Sequence, residues 1–202
     1  KSSGRQGLAI AAAAQRAGAR VRVIAANIDD SVMACLPSSV EVTRVGSAQQ
    51  MREATLAQVR GADALVMTAA VADFRPEAAQ ASKMKKDPTK TDAPTLRLVR
   101  NPDILSEVGH SDIRPALVVG FAAETGTDEE ILANGADKAA RKGADYIALN
   151  RVGAGVGFGD VPNDIRLLDV GGQIVGRYIG SKDEVAAGLV AQMAAFLDNL
   201  ER

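Results

Sequence analysis

The sequence predicts an α/β fold: a mostly parallel sheet with helices on both faces, completed by a C-terminal β-hairpin and helix. Three observations carry that expectation. Helical and strand-like segments alternate from residue 7 to residue 150, the order of proteins built on a parallel sheet. The runs ALVMTAA (64–70) and ALVVGFA (116–122) are almost wholly apolar, as expected of short strands covered on both faces. After Asn150 the pattern changes to two strand-like runs around Gly171-Gly172, a hairpin signature.

Each element has a local cause. GLAIAAAAQRA (7–17) is an alanine-rich helix closed by Gly18 as C-cap, ahead of a β-branched strand at 21–25. A short strand at 40–45 precedes Ser47, which with Gln50 forms a capping box opening a helix through Val59. The apolar strand 64–70 is followed by a long irregular, charged stretch, 75–93, that holds Lys83-Met84-Lys85-Lys86 and Lys90. A loop of that length inside a domain is usually functional or disordered. A strand at 96–99 runs into Asn101-Pro102-Asp103, where Asn101 is the expected N-cap and Pro102 the first residue of a helix reaching Val108. Strand 116–122 leads to a second capping box, Thr127 with Glu130, and a helix ending near Gly143; a strand at 146–149 follows. The hairpin, 165–170 and 174–179, extends the sheet or builds an interface, and Ser181 with Glu184 caps the last helix, to about Leu200.

Composition excludes several classes. The chain has 202 residues, 47 % of them hydrophobic and 24 % charged, enough for one globular domain with its own core. Lys plus Arg (24) against Asp plus Glu (25) leaves a formal charge of −1, without the basic excess that drives binding to a nucleic-acid backbone. Aromatic residues make up 3 %, which weakens any base-stacking platform. One cysteine, Cys35, precludes an internal disulfide framework, and with one histidine, His110, there is no His/Cys set for zinc. No apolar stretch has the roughly 20 residues of a membrane span, and Lys1-Ser2-Ser3-Gly4 is no signal peptide. The protein is therefore expected to be cytoplasmic, with partners other than nucleic acid or membrane. Without an initiator methionine, the chain is also expected to be part of something larger.

Candidate chemistry gathers at a few junctions, each with a bland alternative. Ser2-Ser3-Gly4 before a helix can hold an anion on free backbone N–H groups, or simply start a surface helix. Small residues after strand 64–70 let a ligand approach the backbone, and Asp73 beyond them can accept hydrogen bonds from a ribose or base, help hold a metal, or cap a turn. Asn101-Pro102-Asp103 reads as a helix cap or a binding turn, and Phe121 as core or ligand platform. The 83–86 lysines form a solvated surface or a basic lid that closes over phosphates. Lys138 and Lys142, four apart, share one helix face and can meet the same phosphates. His110 is expected to cap a helix end, and Cys35 to be a buried structural thiol. The metal ligands, if any, are not readable.

Taken together, SSGRQG, AAVADFRP, KMKK, NPDI, VGFAAET and ADYIALN, in that order from Ser2 to Asn150, resemble the bacterial phosphopantothenate-cysteine ligases, the synthetase part of bifunctional coenzyme A biosynthesis proteins. Similarity is looser through Gly157-Phe158 and Asn163 to the end. The resemblance implies a Rossmann-like fold, a homodimer or a higher oligomer formed through an upstream domain, and small-molecule substrates: 4′-phosphopantothenate, cysteine and CTP with Mg²⁺. It implies an acyl-cytidylate intermediate, with CTP cleaved to CMP and pyrophosphate. By the same resemblance Met67, Thr68, Ala69, Asp73, Asn101, Pro102, Asp103, Ile104, Phe121, Lys138 and Lys142 bind the nucleotide; Lys83 is the catalytic lysine, also at the nucleotide; and Ser2, Ser3 and Gly4 lie near phosphopantothenate. Residues 1–202 are then expected to be one ligase domain, with the family's glycine-rich first strand, an intermediate-binding asparagine and any FMN-dependent decarboxylase domain lying upstream. The alternative from another class is a Rossmann-like nucleotide-binding module without chemistry. A dinucleotide oxidoreductase would need a G-x-G-x-x-G turn between a strand and a helix, and these residues contain none.

Overall fold

A computed structural model of the chain describes residues 3–78, 95–151 and 163–200. The elements are α1 (Arg5–Arg16), β1 (Arg22–Ala26), α2 (Asp30–Met33), β2 (Glu41–Val45), α3 (Ala48–Val59), β3 (Ala64–Met67), β4 (Phe74–Pro76), β5 (Leu98–Arg100), α4 (Ile104–Gly109), β6 (Leu117–Glu124), α5 (Asp128–Lys142), β7 (Tyr146–Arg151), β8 (Asn163–Asp169), β9 (Ile174–Gly180) and α6 (Lys182–Leu200). The fold class is the expected one.

The central sheet has the order β3-β6-β7-β8-β9. Its first pairings, β3 with β6 and β6 with β7, are parallel; β7-β8 and β8-β9 are antiparallel. The C-terminal hairpin therefore extends the sheet. β1 and β2 make a separate parallel pair, and β4 and β5 a separate antiparallel one.

Alternation along the central strands builds two cores. Leu117 and Val119 of β6, Tyr146 and Ala148 of β7 and Ile165 and Leu167 of β8 point to one face, where α1 supplies Ala9, Ile10 and Ala13 and α6 supplies Val185, Ala186, Leu189 and Val190. Val118, Ile147, Leu149 and Leu168 point to the other, under Ile131 and Ala139 of α5. Alanine is the reason α1 fits: a helix buried from Leu8 to Ala13 can lie close to α6 only if its side chains are short. Leu8 belongs to a third cluster with Ala25 and Met33, so α1 bridges β1 and the main sheet.

Helix starts follow their caps. Thr127 and Glu130 form the full reciprocal box at α5, and Ser181 and Glu184 exchange the same bonds at α6. Ser47 Oγ accepts from the Gln50 N–H at α3, whereas the Gln50 side chain takes the N–H of Gly46. In all three cases a side-chain oxygen satisfies a helix N–H that has no partner within the helix.

Four expectations are corrected. Asp103, not Asn101, is the N-cap of α4: its carboxylate accepts from the Ser106 N–H, and the helix starts at Ile104 rather than Pro102. Asn101 is held elsewhere, its backbone N–H on the Asp73 carbonyl (2.8 Å) and its side-chain amide on the Ala72 carbonyl (2.8 Å). The irregular stretch expected from residue 75 begins with β4, which pairs Phe74 with Arg100 and Pro76 with Leu98, while β3 stops at Met67, short of Ala70. Cys35 is exposed, because α2 is a single turn that buries only Met33. His110 does sit at the α4 C-terminus, with Nδ1 2.9 Å from the Ser106 carbonyl oxygen.

Candidate functional site

A cavity of about 240 Å³ opens where β3 ends and α4 lies across α5. The chain immediately after β3, residues 69–73, forms one wall; small side chains there let the backbone itself face the space. The turn Asn101-Pro102-Asp103-Ile104 with Leu105 forms a second wall, Phe121 of β6 lies at the base, and Lys138 and Lys142 project from α5. Thus Met67, Ala69, Asp73, Asn101, Pro102, Asp103, Ile104, Phe121, Lys138 and Lys142, noted from sequence, are brought around one space.

The turn is tied to the opposite wall by the Asn101 bonds to Ala72 and Asp73, and Arg75 clasps it from outside, donating to the Arg100 carbonyl (2.7 Å) and the Asn101 side-chain oxygen (3.1 Å). Phe121 packs partly against the α1/α6 core while also lining the cavity.

Both cavity lysines are paired to carboxylates. The Lys142 ammonium bonds Asp103, and Lys138 lies 3.3 Å from Glu124. Burial acts to raise the Asp103 carboxyl, but the Lys142 hydrogen bond, the Ser106 N–H and the charges of Lys142 and Arg141 outweigh it and hold the group below the ordinary carboxylate range. These are exchangeable partners. An incoming polyphosphate can take over both ammonium groups without first finding uncompensated charge in a half-covered site.

Backbone contact sets the lysines. A Cβ on Gly109 would lie 2.1 Å from the Lys142 carbonyl oxygen, so the end of α4 rests directly on the end of α5. Lys142 meets α4 twice, by its carbonyl at Gly109 and by its ammonium at Asp103. Gly143 has φ 62°, the left-handed C-cap that lets the chain leave α5 at this crossing. Asp145 then accepts from Arg114 (2.6 Å) and from the Val118 N–H (2.7 Å), joining the entry to β7 to that of β6.

The remaining residues noted from sequence lie elsewhere. Thr68 does not line the cavity; its Oγ1 faces Gly7 of α1, where a Cβ would approach to 2.5 Å. Ser3 and Gly4 lie at the start of α1, outside the lining, with Gly4 at φ 77° over Ile28. That start is anchored by Gln6, which receives Asn163 (2.8 Å) and donates to the Lys182 carbonyl (3.4 Å). Ser2 and Lys83, and Lys85, Lys86, Lys90, Gly157 and Phe158 with them, fall outside the described residues. Leu105 and Glu124 were missed in the sequence: a leucine inside a helix and an acid at a strand end carry no local mark, and only the packing of α4 and α5 gives them a role.

Among the described residues no group of three or more His, Cys, Asp or Glu side chains is placed to hold a metal ion. Asp73 and Asp103 are the carboxylates of the lining. One or two carboxylates plus phosphate oxygens suit Mg²⁺, so the donor set fits an ion that arrives on a triphosphate.

Residues 1–197 match the family described as the DNA/pantothenate metabolism flavoprotein C-terminal domain. The chain is 39 % identical over 203 residues to the coenzyme A biosynthesis bifunctional protein CoaBC of Mycobacterium tuberculosis (strain ATCC 25618 / H37Rv), covering 98 % of this chain and 47 % of that protein. It is 40 % identical over 174 residues to the CoaBC of Vibrio parahaemolyticus serotype O3:K6, covering 86 % and 42 %. The chain thus spans about half the length of these relatives. A crystal structure of the C-terminal domain of a CoaBC superposes with a TM-score of 0.75 at 27 % identity, covering 98 % of this chain and 85 % of that one.

Proposed function

The chain belongs to the family of DNA/pantothenate metabolism flavoprotein C-terminal domains, and from that premise we propose that it is a phosphopantothenate-cysteine ligase of coenzyme A biosynthesis, using CTP. The single observation that carries the reading is the cavity itself: a turn of backbone and small side chains facing two lysines whose present partners are carboxylates.

The chemistry solves the poor electrophilicity of a carboxylate. In the first step the carboxylate oxygen of 4′-phosphopantothenate attacks the α-phosphorus of CTP and the bond to the β-phosphate oxygen breaks, giving an acyl-cytidylate and pyrophosphate. In the second the cysteine amine attacks the acyl carbon and the C–O bond to CMP breaks, the amine proton passing to solvent or to the departing phosphate. Neither step needs a redox group. The chain's task is to position charge and exclude water.

The residues divide that task. The 69–73 segment and the Asn101-Pro102 turn hold the nucleoside with backbone groups. Lys138 and Lys142 leave Glu124 and Asp103 for phosphate oxygens, and Asp103, with Asp73 of the same lining, would then be available to hold Mg²⁺. Mg²⁺ enters as part of the triphosphate substrate and neutralises its charge. Lys83 closes over the activated intermediate. Ser2, Ser3 and Gly4 receive the phosphate end of phosphopantothenate. The active unit is a homodimer.

The test is incubation with phosphopantothenate, Mg²⁺, cysteine and each nucleoside triphosphate in turn, using a chain that includes the segment before residue 1. The expected result is pyrophosphate release with CTP and cysteine-dependent CMP formation. Absence of pyrophosphate with every triphosphate defeats the proposal; a different preferred triphosphate defeats only the choice of CTP.

A further inference from the structure

We propose that Arg52 on α3, a residue outside the cavity lining, is a positioning residue for the nucleotide site: through Glu107 it fixes α4, and with it the Asn101–Ile104 turn and Asp103 opposite Lys142. The inference rests on the reading of the cavity as a nucleotide site.

α4 has six residues. Helices shorter than about 12 residues are marginal without tertiary support, because nucleation fixes several dihedrals for each early hydrogen bond. Its position is therefore set by what grips it. Ile104 and Val108 bury one stripe, which holds the helix down but, being apolar and non-directional, leaves rotation about its axis weakly fixed. Gly109 touches the Lys142 and Gly143 carbonyls at one end. Two directional grips remain: Lys142 bonds Asp103 at the start of the helix, and one turn on Arg52 Nε donates to one Glu107 oxygen at 2.6 Å while its Nη2 donates to the other. A two-pronged pair of this kind fixes angle as well as distance. The two side chains are 32 % and 33 % exposed, well below a freely solvated pair. The hydrogen bond to Glu107 also holds the Arg52 guanidinium above its ordinary pKa.

The position of Glu107 makes this grip matter to the site. It lies one turn beyond Asp103, and its own N–H donates to the Asp103 carbonyl (2.9 Å). A rotation of α4 that moves Glu107 also moves the Asp103 carboxylate, and with it the partner of Lys142. α3 is a suitable base: Ser47 caps it, and Met51, Thr55 and Val59 are buried.

The experiment measures KM for the triphosphate, KM for cysteine, kcat and the melting temperature in Arg52→Ala, Glu107→Gln, the double variant and Arg52→Lys, in the complete protein. Loss of the pair is expected to raise the triphosphate KM about tenfold, short of the roughly hundredfold that a misplacement of about 1 Å can cost, with the cysteine KM unchanged within about twofold. The double variant should be no worse than either single one, since both remove the same contact. Arg52→Lys should recover part of the loss, keeping charge without the fork. A triphosphate KM in Arg52→Ala equal to that of the parent, an equal rise in every substrate's KM, or additive effects in the double variant overturns the proposal. If Arg52→Ala does not fold, Glu107→Gln and Arg52→Lys decide it by the same criteria. If the parent protein turns over no triphosphate, the ligase reading fails; calorimetric titration of the same variants with CTP then tests Arg52 by itself, equal affinities refuting it.

Discussion

Lys142 carries the most consequence at the scale of single residues, because its ammonium bonds Asp103 in the structure and a phosphate in the proposed complex. Lys142→Met should weaken triphosphate binding on the order of tenfold to a hundredfold, the value of a charged hydrogen bond of about 1.5–3 kcal/mol, read as the KM or as calorimetric affinity. An unchanged affinity would remove Lys142 from the site. Its partner has a pH signature. The folded Asp103 carboxyl is held below its unfolded value, chiefly by Lys142 and the Ser106 N–H acting against burial, so its stabilising contribution is complete above the ordinary carboxylate range and is lost as pH falls through the lowered value. The melting temperature of the parent should therefore exceed that of Asp103→Asn at neutral pH, with the difference shrinking in acid. A difference that grows on acidification contradicts the assignment. Lys83→Gln should abolish ligation while CTP binding falls modestly; unchanged turnover would sink the proposed closing lysine.

At the scale of elements, local chemistry and packing contribute unequally. Helices α3, α5 and α6 begin where side-chain caps put them, and these were legible because a cap acts within four residues. Replacing Thr127 by Ala should cost about 1 kcal/mol, seen as a lower melting temperature without change at the cavity. The start of α4 was misread for a related reason. Asn101 and Asp103 are both good caps, and the choice fell to Asp103 because Asn101 is engaged with Ala72 and Asp73, about thirty residues earlier. The α4/α5 crossing was not legible at all. Gly109→Ala should cost about 1–3 kcal/mol or more, since the new methyl group would meet backbone rather than a yielding side chain, and the same variant should lose triphosphate affinity as Lys142 is displaced. A stable Gly109→Ala with full affinity would show that the two helices can separate without disturbing the site.

For the whole molecule, the sheet places one end of each chemical segment near one space. β3 and β6 are adjacent and parallel, so the residues following β3 meet Phe121 of β6 although more than forty positions separate them. The hairpin adds β8 and β9 to the far side of β7 and leaves Ile174 and Ile179 exposed on an edge strand. The β4/β5 ribbon also exposes Phe74 and Leu98, and Leu96 just before β5 is exposed as well. Sedimentation at working concentration should give the mass of a dimer if the proposed homodimer is the active unit; a monomer that retains full turnover contradicts it. Among the described residues no helix is long and apolar enough to cross a membrane.

By itself the sequence determined the fold class and most of the order of strands and helices, α2 and β4 excepted, because apolar periodicity, caps and glycine turns act over a few residues and leave their mark there; most of the residues that line the cavity were named through the resemblance of ordered motifs to a known family. Only the tertiary structure decided that Asp103 caps α4 and pairs with Lys142, that Glu124 faces Lys138, that Thr68 turns away toward α1, that Cys35 is exposed and that Arg52 grips Glu107. These depend on which polar groups and backbones meet across dozens of residues. Such a meeting is set by how two cores pack on one sheet, and no window of sequence contains it.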